Sequence, residues 1–336
     1  MDVLEGGGGV MWGVFEPVGD AARIHREGVV LDSRGKPVTS FALPSAIWKM
    51  GQVVIGKSMY VLGFPAEGVI RETETEGWSF LPGSLVGYQI DLDSGVVRDF
   101  SIPGEPQGSV GDQTDQVGLF QVAGEILLIV GGEADAAWHA WTGGIDGKWT
   151  AVDAPTGMPC QVGQHVVVRE ATMRGDEGDP TAPPAVVDAT DVRTAAPSVR
   201  VFDAKSGAWG PVSTGPRLTS SAVAAPPEAC SGTRLSIFTL SPNDMTVASF
   251  DPSTADWTEK SIPHGYTPVA MAMNGVSNVL LSSSSAETKD AVYDPVSGKL
   301  APLEISLRDV AALVPVEKGR VLLIGKRADG DRRLEL

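Results

Sequence analysis

The stretch ILLIVGGEADAAWHAWTGGIDGKW, residues 126–149, decides the fold class of this chain. An apolar run, residues 126–130, ends at two glycines, and a second run rich in aromatic residues, 138–141, follows. A tight turn at Asp146 then leads to Trp149. Short apolar runs separated by glycine-rich turns are typical of antiparallel strands, so the stretch predicts strands joined by hairpins.

The same hairpin signal recurs along the chain. A hydrophobic residue precedes an aspartate, a short turn ends in a small residue, and an apolar or aromatic residue usually follows. The aspartate accepts hydrogen bonds within the turn, glycine supplies positive φ, and the following residue packs on the returning strand. The turns begin at Asp32, Asp91, Asp146, Asp203, Asp251 and Asp294, with spacings of 43 to 59 residues.

Periods of this size, with four strands in each, predict the blades of a single all-β propeller over residues 10–336. The glycine-rich residues 1–9 are predicted to be a flexible linker. If the C-terminal strands complete the first blade, the propeller has six blades; a separate final blade gives seven, which we favour. Residues 71–78 are predicted to be a charged loop, and the Ala/Asp/Pro/Thr-rich residues 171–197 a long insertion loop.

The order of apolar run, Gly-Gly, spacer, aromatic residue and final Trp in residues 126–149 resembles the kelch repeat of galactose-oxidase-like propellers. Residues 60–63 and 322–325 keep one of the glycines, and residues 279–285 keep neither. The resemblance implies a β-propeller fold. It implies little about activity, because this fold hosts many unrelated functions. Neither cysteine lies in a context that suggests the tyrosine crosslink of the copper oxidases, so copper radical chemistry is not expected.

The chain of 336 residues carries a formal net charge of −16. Nucleic-acid binding requires a basic stripe, and the sequence has none, so we exclude a nucleic-acid partner. No apolar run is long enough to span a membrane, and the N-terminus lacks the features of a signal peptide. The acidic composition favours an extracellular or cell-envelope protein whose leader is absent, with a cytoplasmic protein as the alternative. A monomer is expected.

A ligand site is expected at the start of the first strand of each repeat, because those strands line the channel of a propeller. Most of the residues at these positions are polar, and they also have the ordinary role of solvating a wet channel. No metal site and no cofactor are predicted, although a divalent cation in the channel is compatible with the two aspartates. The candidate ligand-binding residues are Asp112, Asp115, Gln161, His165, Arg217, His264, Tyr266 and Arg308, and Lys49 lies at the corresponding position of an earlier repeat.

Two histidines and two cysteines are the residues with distinctive chemistry. His165 and His264 fall near equivalent strand starts, so they are the candidate acid and base or metal ligands of a catalytic site. Cys160 and Cys230 lie near strand starts of neighbouring repeats. A disulfide between them and two isolated small apolar side chains remain equal alternatives.

No G-x-S-x-G, P-loop or H-E-x-x-H motif is present, and the sequence therefore favours a non-enzymatic recognition module. Such a module would bind a protein, peptide or glycan through its loops. One alternative is a lyase or hydrolase that uses His165 and His264 at the channel mouth. The other alternative is the exported part of an envelope or sensor protein.

Overall fold

All secondary structure in the described part of the computed structural model is β-strand. The predicted all-β class is therefore confirmed. The structure describes residues 2–3, 9–12, 15–18, 21–32, 34, 36–65, 69–73, 77–78, 85–103, 116–131, 138–155, 157, 159–170, 193–220, 228–240, 244–263, 266–269, 279–283, 291–302, 307–317, 320–327 and 332–335.

The chain divides into two compact units. The first unit comprises Met1–Met158 with the short segments Ala204–Ala208 and Val316–Arg320. The strands up to residue 158 are β1 (Asp2–Val3), β2 (Gly9–Trp12), β3 (Phe15–Val18), β4 (Ala21–Ile24), β5 (Glu27–Leu31), β6 (Pro37–Ala42), β7 (Ile47–Ile55), β8 (Ser58–Pro65), β9 (Val69–Thr73), β10 (Gly77–Trp78), β11 (Val86–Asp91), β12 (Val97–Asp99), β13 (Gln116–Val122), β14 (Glu125–Gly131), β15 (His139–Gly143) and β16 (Trp149–Val152).

The second unit comprises Pro159–Asp203, Trp209–Pro315 and Val321–Leu336. The strands after residue 158 are β17 (Cys160–Val162), β18 (His165–Glu170), β19 (Arg193–Ala195), β20 (Ser198–Asp203), β21 (Ala208–Trp209), β22 (Ser213–Thr214), β23 (Leu218–Ser220), β24 (Glu228–Ser231), β25 (Arg234–Leu240), β26 (Asp244–Asp251), β27 (Asp256–Pro263), β28 (Tyr266–Val269), β29 (Val279–Ser283), β30 (Ala291–Asp294), β31 (Lys299–Pro302), β32 (Leu307–Glu317), β33 (Arg320–Arg327) and β34 (Arg332–Glu335).

Six sheets follow one another in the described residues as four-stranded meanders, which are the blades of a β-propeller fold. We number them sheets 1 to 6: β1-β2-β5-β6, β7-β8-β11-β12, β13-β14-β15-β16, β17-β18-β20-β21 with β22 also on β20, β24-β25-β26-β27, and β28-β29-β30-β31. A three-stranded sheet, β32-β33-β34, follows. The number of blades, six or seven, stays a prediction.

Strand β8 shows why the second strand of a blade is a continuous apolar run. Its residues 59–64 are all buried. Met59 and Val61 belong to a core cluster with residues of sheet 1, whereas Tyr60 and Leu62 belong to a cluster with residues of sheet 3. Successive residues of a strand point to opposite faces, so a strand with a neighbouring sheet on each face needs apolar residues throughout. Strand β14 repeats the pattern, with residues 126–130 all buried.

The aspartate turns form as predicted. Asp91 Oδ1 accepts hydrogen bonds from the backbone N–H groups of Ser94 at 2.8 Å and Asp93 at 3.1 Å. The bond from the Ser94 backbone is the largest cause that holds the pKa of the Asp91 carboxyl below its ordinary value. Gly95 closes this turn with φ of 73°, and Ala255 takes the same left-handed region at 59° in the turn after Asp251.

A sheet that the sequence did not predict joins the first two blades. Strands β3 and β4 lie in the connection between β2 and β5, and β9 and β10 lie in the connection between β8 and β11. They pair in the order β10-β9-β4-β3, with Ala22 opposite Ile70. We call this the accessory sheet. The predicted charged loop 71–78 was therefore wrong for residues 71–73 and 77–78, because β4, distant in sequence, supplies the hydrogen-bond partners of β9.

Two predicted boundaries lie partly outside the described residues. Within the predicted linker, Asp2–Val3 forms β1 and pairs with β2, and residues 4–8 are not described. Within the predicted insertion, residues 171–192 are not described, and β19 pairs with β23. The linker and the insertion loop stay predictions.

A disulfide joins Cys160 and Cys230 in the second unit. Cys160 begins β17, the first strand of sheet 4, and Cys230 lies in β24, the first strand of sheet 5. Both side chains pack against the core cluster that these two sheets share. The bond therefore links the first strands of two successive blades.

Candidate ligand site at the loop-bearing end of the first unit

The two ends of each blade differ in the length of their connections. The first and second strands of sheets 2, 3, 4 and 5 are joined by two residues only. These turns place glycine in the left-handed region at Gly56, Gly124, Gly163 and Gly232. The aspartate turns close the same end. At the opposite end the connections are longer, such as residues 66–85 between β8 and β11. Binding residues concentrate on long loops, so a ligand site is expected at this loop-bearing end.

A cluster of three side chains in the first unit lies near that end. Trp12 ends β2 of sheet 1, and its Nε1–H donates a hydrogen bond to Gln52 Oε1 in β7 of sheet 2 at 2.8 Å. The Lys49 ammonium, on the same strand as Gln52, lies 5.7 Å from the centre of the indole ring. This distance is within the range of a cation–π interaction. We call Trp12, Lys49 and Gln52 the indole cluster.

A β-bulge allows both β7 side chains to reach Trp12. Lys49 is opposite Gly63 and Gln52 is opposite Val61, so Met50 is the extra residue of the ladder. In a regular strand, residues three positions apart lie on opposite faces; one inserted residue returns them to the same face. The bulge therefore brings an ammonium and an amide to the same indole.

Gly51 is adjacent to the bulge. A Cβ on this residue would lie 3.2 Å from the backbone nitrogen of Leu119 in sheet 3. Contacts this short are uncommon for real side chains, so the close approach of β13 favours glycine at this position. The contact fixes the backbone of β7 next to the bulge.

A second aromatic group lies on β15 of sheet 3. The His139 and Trp141 rings stack with their centres 5.9 Å apart and an interplanar angle of 25°. The two residues share one face of the strand, as the alternation of the sequence predicts. Trp138 instead covers Gly131, where any Cβ would collide with the indole. The glycine at position 131 is therefore required by the packing of Trp138.

The predicted position of His165 at the start of a first strand is wrong. His165 begins β18, the second strand of sheet 4, at the end closed by the two-residue turn. Gln161 Nε2 donates to the backbone oxygens of Gly163 at 2.9 Å and His165 at 3.0 Å. The amide thus stabilises the turn. The first strand of this blade lies before His165 in the chain. It was not recognised from the sequence because β17 has only three residues and a weak apolar signal.

Sheet 5 shows the structural role of the residue that begins the second strand of a blade, the position that His165 has in sheet 4. There the second strand begins at Arg234, whose Nη1 forms an ion pair with Asp251 Oδ2 at 3.0 Å. Asp251 is the turn aspartate of that sheet and also accepts the backbone N–H of Ser253 at 2.9 Å. A polar residue that begins the second strand therefore has a structural role beside the aspartate turn.

The remaining predicted site residues are dispersed. Tyr266 begins β28 as expected, but its ring is buried in the core between sheets 5 and 6. Arg217 is exposed and precedes β23, rather than the first strand of sheet 5, which is β24. Arg308 lies within β32. Asp112, Asp115 and His264 lie outside the described residues, so their predicted roles stay predictions.

No group of three or more His, Cys, Asp or Glu side chains placed to hold a metal ion occurs among the described residues. Within the described ranges, no helix is long and apolar enough to cross a lipid bilayer.

Trp12 and Gln52 were missed by sequence reasoning, although Lys49 was recognised. The signal was hidden because the alternation rule places Lys49 and Gln52 on opposite faces. Gly51, a glycine inside a strand, is the one residue whose presence could have indicated the bulge.

No family model matches the chain, and no curated protein matches its sequence. Solved structures with a similar fold do exist. An acylaminoacyl peptidase in complex with Z-Gly-Gly-Phe-chloromethyl ketone is 11% identical, with a TM-score of 0.50, over 83% of this chain and 43% of the peptidase chain. The chain thus spans less than half the length of that peptidase.

Two further solved structures have a similar fold. The uncharacterized protein lmo1340 from Listeria monocytogenes EGD-e is 9% identical, with a TM-score of 0.50, over 96% of this chain and 87% of that protein. The β-propeller domain of the Trilobed protease from Pyrococcus furiosus is 10% identical, with a TM-score of 0.47, over 83% of this chain and 77% of that domain.

The prediction of a non-enzymatic recognition module is corrected by the similarity to a peptidase. The alternative lyase or hydrolase also loses its geometric basis, because His165 lies at the turn-closed end of its sheet. The alternative role as part of an envelope or sensor protein is corrected by the same similarity, whereas the location of the protein stays a prediction.

Proposed function

We propose that this chain is the propeller part of a peptidase, which restricts the peptides that reach a catalytic unit. The similarity to the acylaminoacyl peptidase over 83% of this chain supports the proposal. More than half of that peptidase has no counterpart here, which leaves room for a catalytic unit outside the aligned blades. The sequence itself lacks the nucleophile motifs of common hydrolases.

The blade architecture suits such a role. In propellers generally, the blades surround a central channel, and such a channel would admit an extended peptide more readily than a folded protein. The long connections at one end of the sheets supply the groups that meet the peptide. With a net charge of −16, the chain would favour neutral or basic peptides over acidic ones.

The experiment is a comparison of the isolated chain with the native assembly that contains it. The assembly is purified under non-denaturing conditions through a tag on this chain, and N-acylated and free peptides are offered to both samples. We expect the assembly to hydrolyse peptides and residues 1–336 alone to hydrolyse none. If the assembly has no peptidase activity, the proposal is wrong. If the isolated chain hydrolyses peptides, the division between propeller and catalytic unit is wrong.

We also propose that the chain works in an oxidising compartment, either extracellular or in the cell envelope. The support is the disulfide between Cys160 and Cys230, since such bonds persist mainly outside reducing cytosols. Thiol labelling of protein taken directly from its source tests this. Labelling of both cysteines without prior reduction would contradict it.

A kelch-like origin of the repeats is a further proposal. Trp149 begins β16, the last strand of sheet 3, and Trp257 is the second residue of β27, the last strand of sheet 5. Each follows an aspartate turn. This is the arrangement that the sequence of residues 126–149 shares with kelch repeats. An alignment of natural homologues that preserved neither the turn aspartates nor these tryptophans would contradict it.

A further inference from the structure

We propose that the disulfide between Cys160 and Cys230 is a redox-sensitive latch, which holds β17 against β24 and releases it when a dithiol reduces the bond. These two strands are in contact and are the first strands of sheets 4 and 5. We call the line between them the seam. The inference goes beyond the proposed function and does not depend on it. Three observations carry it: the backbone pairing at the seam, the anchoring of the two sheets, and the partial exposure of the cysteines.

The backbone pairing leaves the seam without a ladder of its own. Among the described residues, β17 pairs only with β18, and β24 only with β25. Strand β17 has just three residues, from Cys160 opposite Val167 to Val162 opposite His165. The first strands of sheets 2 and 3 have nine and seven residues, and no disulfide joins them. Because few hydrogen bonds hold β17 in its sheet, its local stability depends on the bond at Cys160.

The two sheets are anchored by residues other than the cysteines. Val162, at the end of β17 farthest from Cys160, is fully buried. The second strands contribute Val167 and Leu235 to the core cluster that the sheets share. Opening of the bond therefore frees the Cys160 end of β17, while the second strands keep their apolar packing.

The turns that follow the two strands supply a pivot. A Cβ on Gly163 would lie 3.2 Å from the backbone oxygen of Gly232, so the two turns approach each other closely. Gly163 lies beyond the buried end of β17, on the far side from Cys160. Movement of the Cys160 end can therefore occur about this contact.

The partial exposure of the cysteines gives a reductant access to the bond. Both residues are only partly buried against the core cluster of sheets 4 and 5, and exposed disulfides are the ones that are reduced most readily. One thiolate of the dithiol attacks a sulfur of the bond, forms a mixed disulfide and releases the other cysteine. The second thiolate of the dithiol then displaces the first cysteine. Two electrons and two protons thus pass to Cys160 and Cys230, and the dithiol leaves as a disulfide.

Hydrogen exchange measured by mass spectrometry on the folded chain, before and after treatment with dithiothreitol at neutral pH, tests the proposal. We expect two thiols to appear while the far-ultraviolet circular dichroism stays unchanged. Exchange in residues 159–164 should become about tenfold faster or more, because the link that holds this segment is lost. Removal of the reductant and reoxidation should restore slow exchange. Strand β14, which is distant in sequence and has no cysteine, is the internal control and should not change.

The double variant Cys160→Ala, Cys230→Ala is the matched control for effects of the reagent. It should show fast exchange in residues 159–164 both with and without dithiothreitol. If the variant does not fold, the reduced wild-type protein still gives the comparison.

Three results would overturn the inference. The first is a bond that resists dithiothreitol until urea unfolds the chain. The second is exchange in residues 159–164 that reduction leaves unchanged. The third is exchange that rises equally in β25 or a circular dichroism signal that is lost on reduction, since the bond would then hold a whole sheet rather than the seam. None of these measurements involves peptide hydrolysis, so the proposed function is tested separately.

Discussion

The indole of Trp257 in sheet 5 donates a hydrogen bond from Nε1 to Ser213 Oγ of sheet 4 at 3.1 Å. The residues are 44 positions apart in the chain. The same ring covers Gly215, where a Cβ would lie 2.9 Å from it. Sheet 3 repeats the arrangement, since Trp149 Nε1 donates to the backbone oxygen of Ser101, which follows sheet 2. A tryptophan after an aspartate turn thus connects its blade to the preceding one.

The first prediction concerns the Trp257–Ser213 pair. Trp257→Phe keeps an aromatic ring but loses the donor, so we expect the free energy of unfolding to fall by about 1–2 kcal/mol. Urea denaturation of the two single variants and of the double variant with Ser213→Ala gives the coupling energy. A coupling near zero would show that the hydrogen bond contributes nothing.

The second prediction concerns the buried apolar run of β14, residues 126–130. Leu128 is fully buried in β14 between sheets 2 and 3. Leu128→Ala should lower the free energy of unfolding by about 2–5 kcal/mol, because it removes buried methyl groups and leaves a cavity. Val96→Ala is the control: Val96 is 47% exposed at an aspartate turn, and we expect a change within about 0.5 kcal/mol. Equal effects of the two substitutions would contradict the burial of Leu128 in the core between sheets 2 and 3.

The third prediction concerns the disulfide. Replacing Cys160 and Cys230 together by serine removes a link across 70 residues of sequence. The unfolded chain gains entropy, so we expect a loss of about 2–5 kcal/mol in unfolding free energy. Thermal unfolding of the oxidised protein, the reduced protein and the double variant measures it. Unchanged melting of all three would show that the bond does not constrain the fold.

The fourth prediction concerns alkaline pH. Burial is the main cause that raises the pKa of the Tyr293 phenol to about 12, with the neighbouring Asp294 as a second cause. The unfolded chain ionises this phenol near pH 10. The contribution of the neutral phenol to the free energy of unfolding is therefore fully present below about pH 10 and is lost as the pH rises toward 12. We expect the free energy of unfolding to fall by about 1 kcal/mol between pH 9 and 11.

Tyr293→Phe should remove that loss. The buried Tyr293 hydroxyl has no hydrogen-bond partner among the described residues, so its removal should leave stability at pH 7 equal or higher. Tyr60→Phe is the contrast, because the Tyr60 hydroxyl accepts a hydrogen bond from Gln89 Nε2 at 3.2 Å. Urea midpoints of the wild type and both variants at pH 7, 9 and 11 test the difference. A marked loss for Tyr293→Phe at pH 7 would contradict this account.

Much of the fold was predictable because its signals are local. Asp91 and Gly95 specify a turn within five residues, and the apolar run of β14 specifies a strand covered on both faces. Strand β17 was harder to recognise, because three residues of intermediate polarity carry no periodicity. The position of His165 was misjudged for this reason.

The candidate site was harder to predict because it depends on contacts distant in sequence. Trp12 meets Gln52 across 40 residues. The Lys49 side chain lies on the same face of β7 as Gln52 only because a bulge interrupts the strand; strict alternation would place the two on opposite faces. The accessory sheet likewise depends on the pairing of Ala22 with Ile70, which neither segment indicates alone.

The accessory sheet has a consequence for synthesis of the chain. Strand β4 leaves the ribosome about 48 residues before its partner β9, a delay of roughly 2–10 s at a translation rate of about 5–20 residues per second. During that interval the nascent hairpin has an unpaired edge, and such edges are where chains aggregate. The first blade is therefore most exposed to misassembly before the second is translated, and a slowly translated codon between residues 25 and 68 would lengthen that risk.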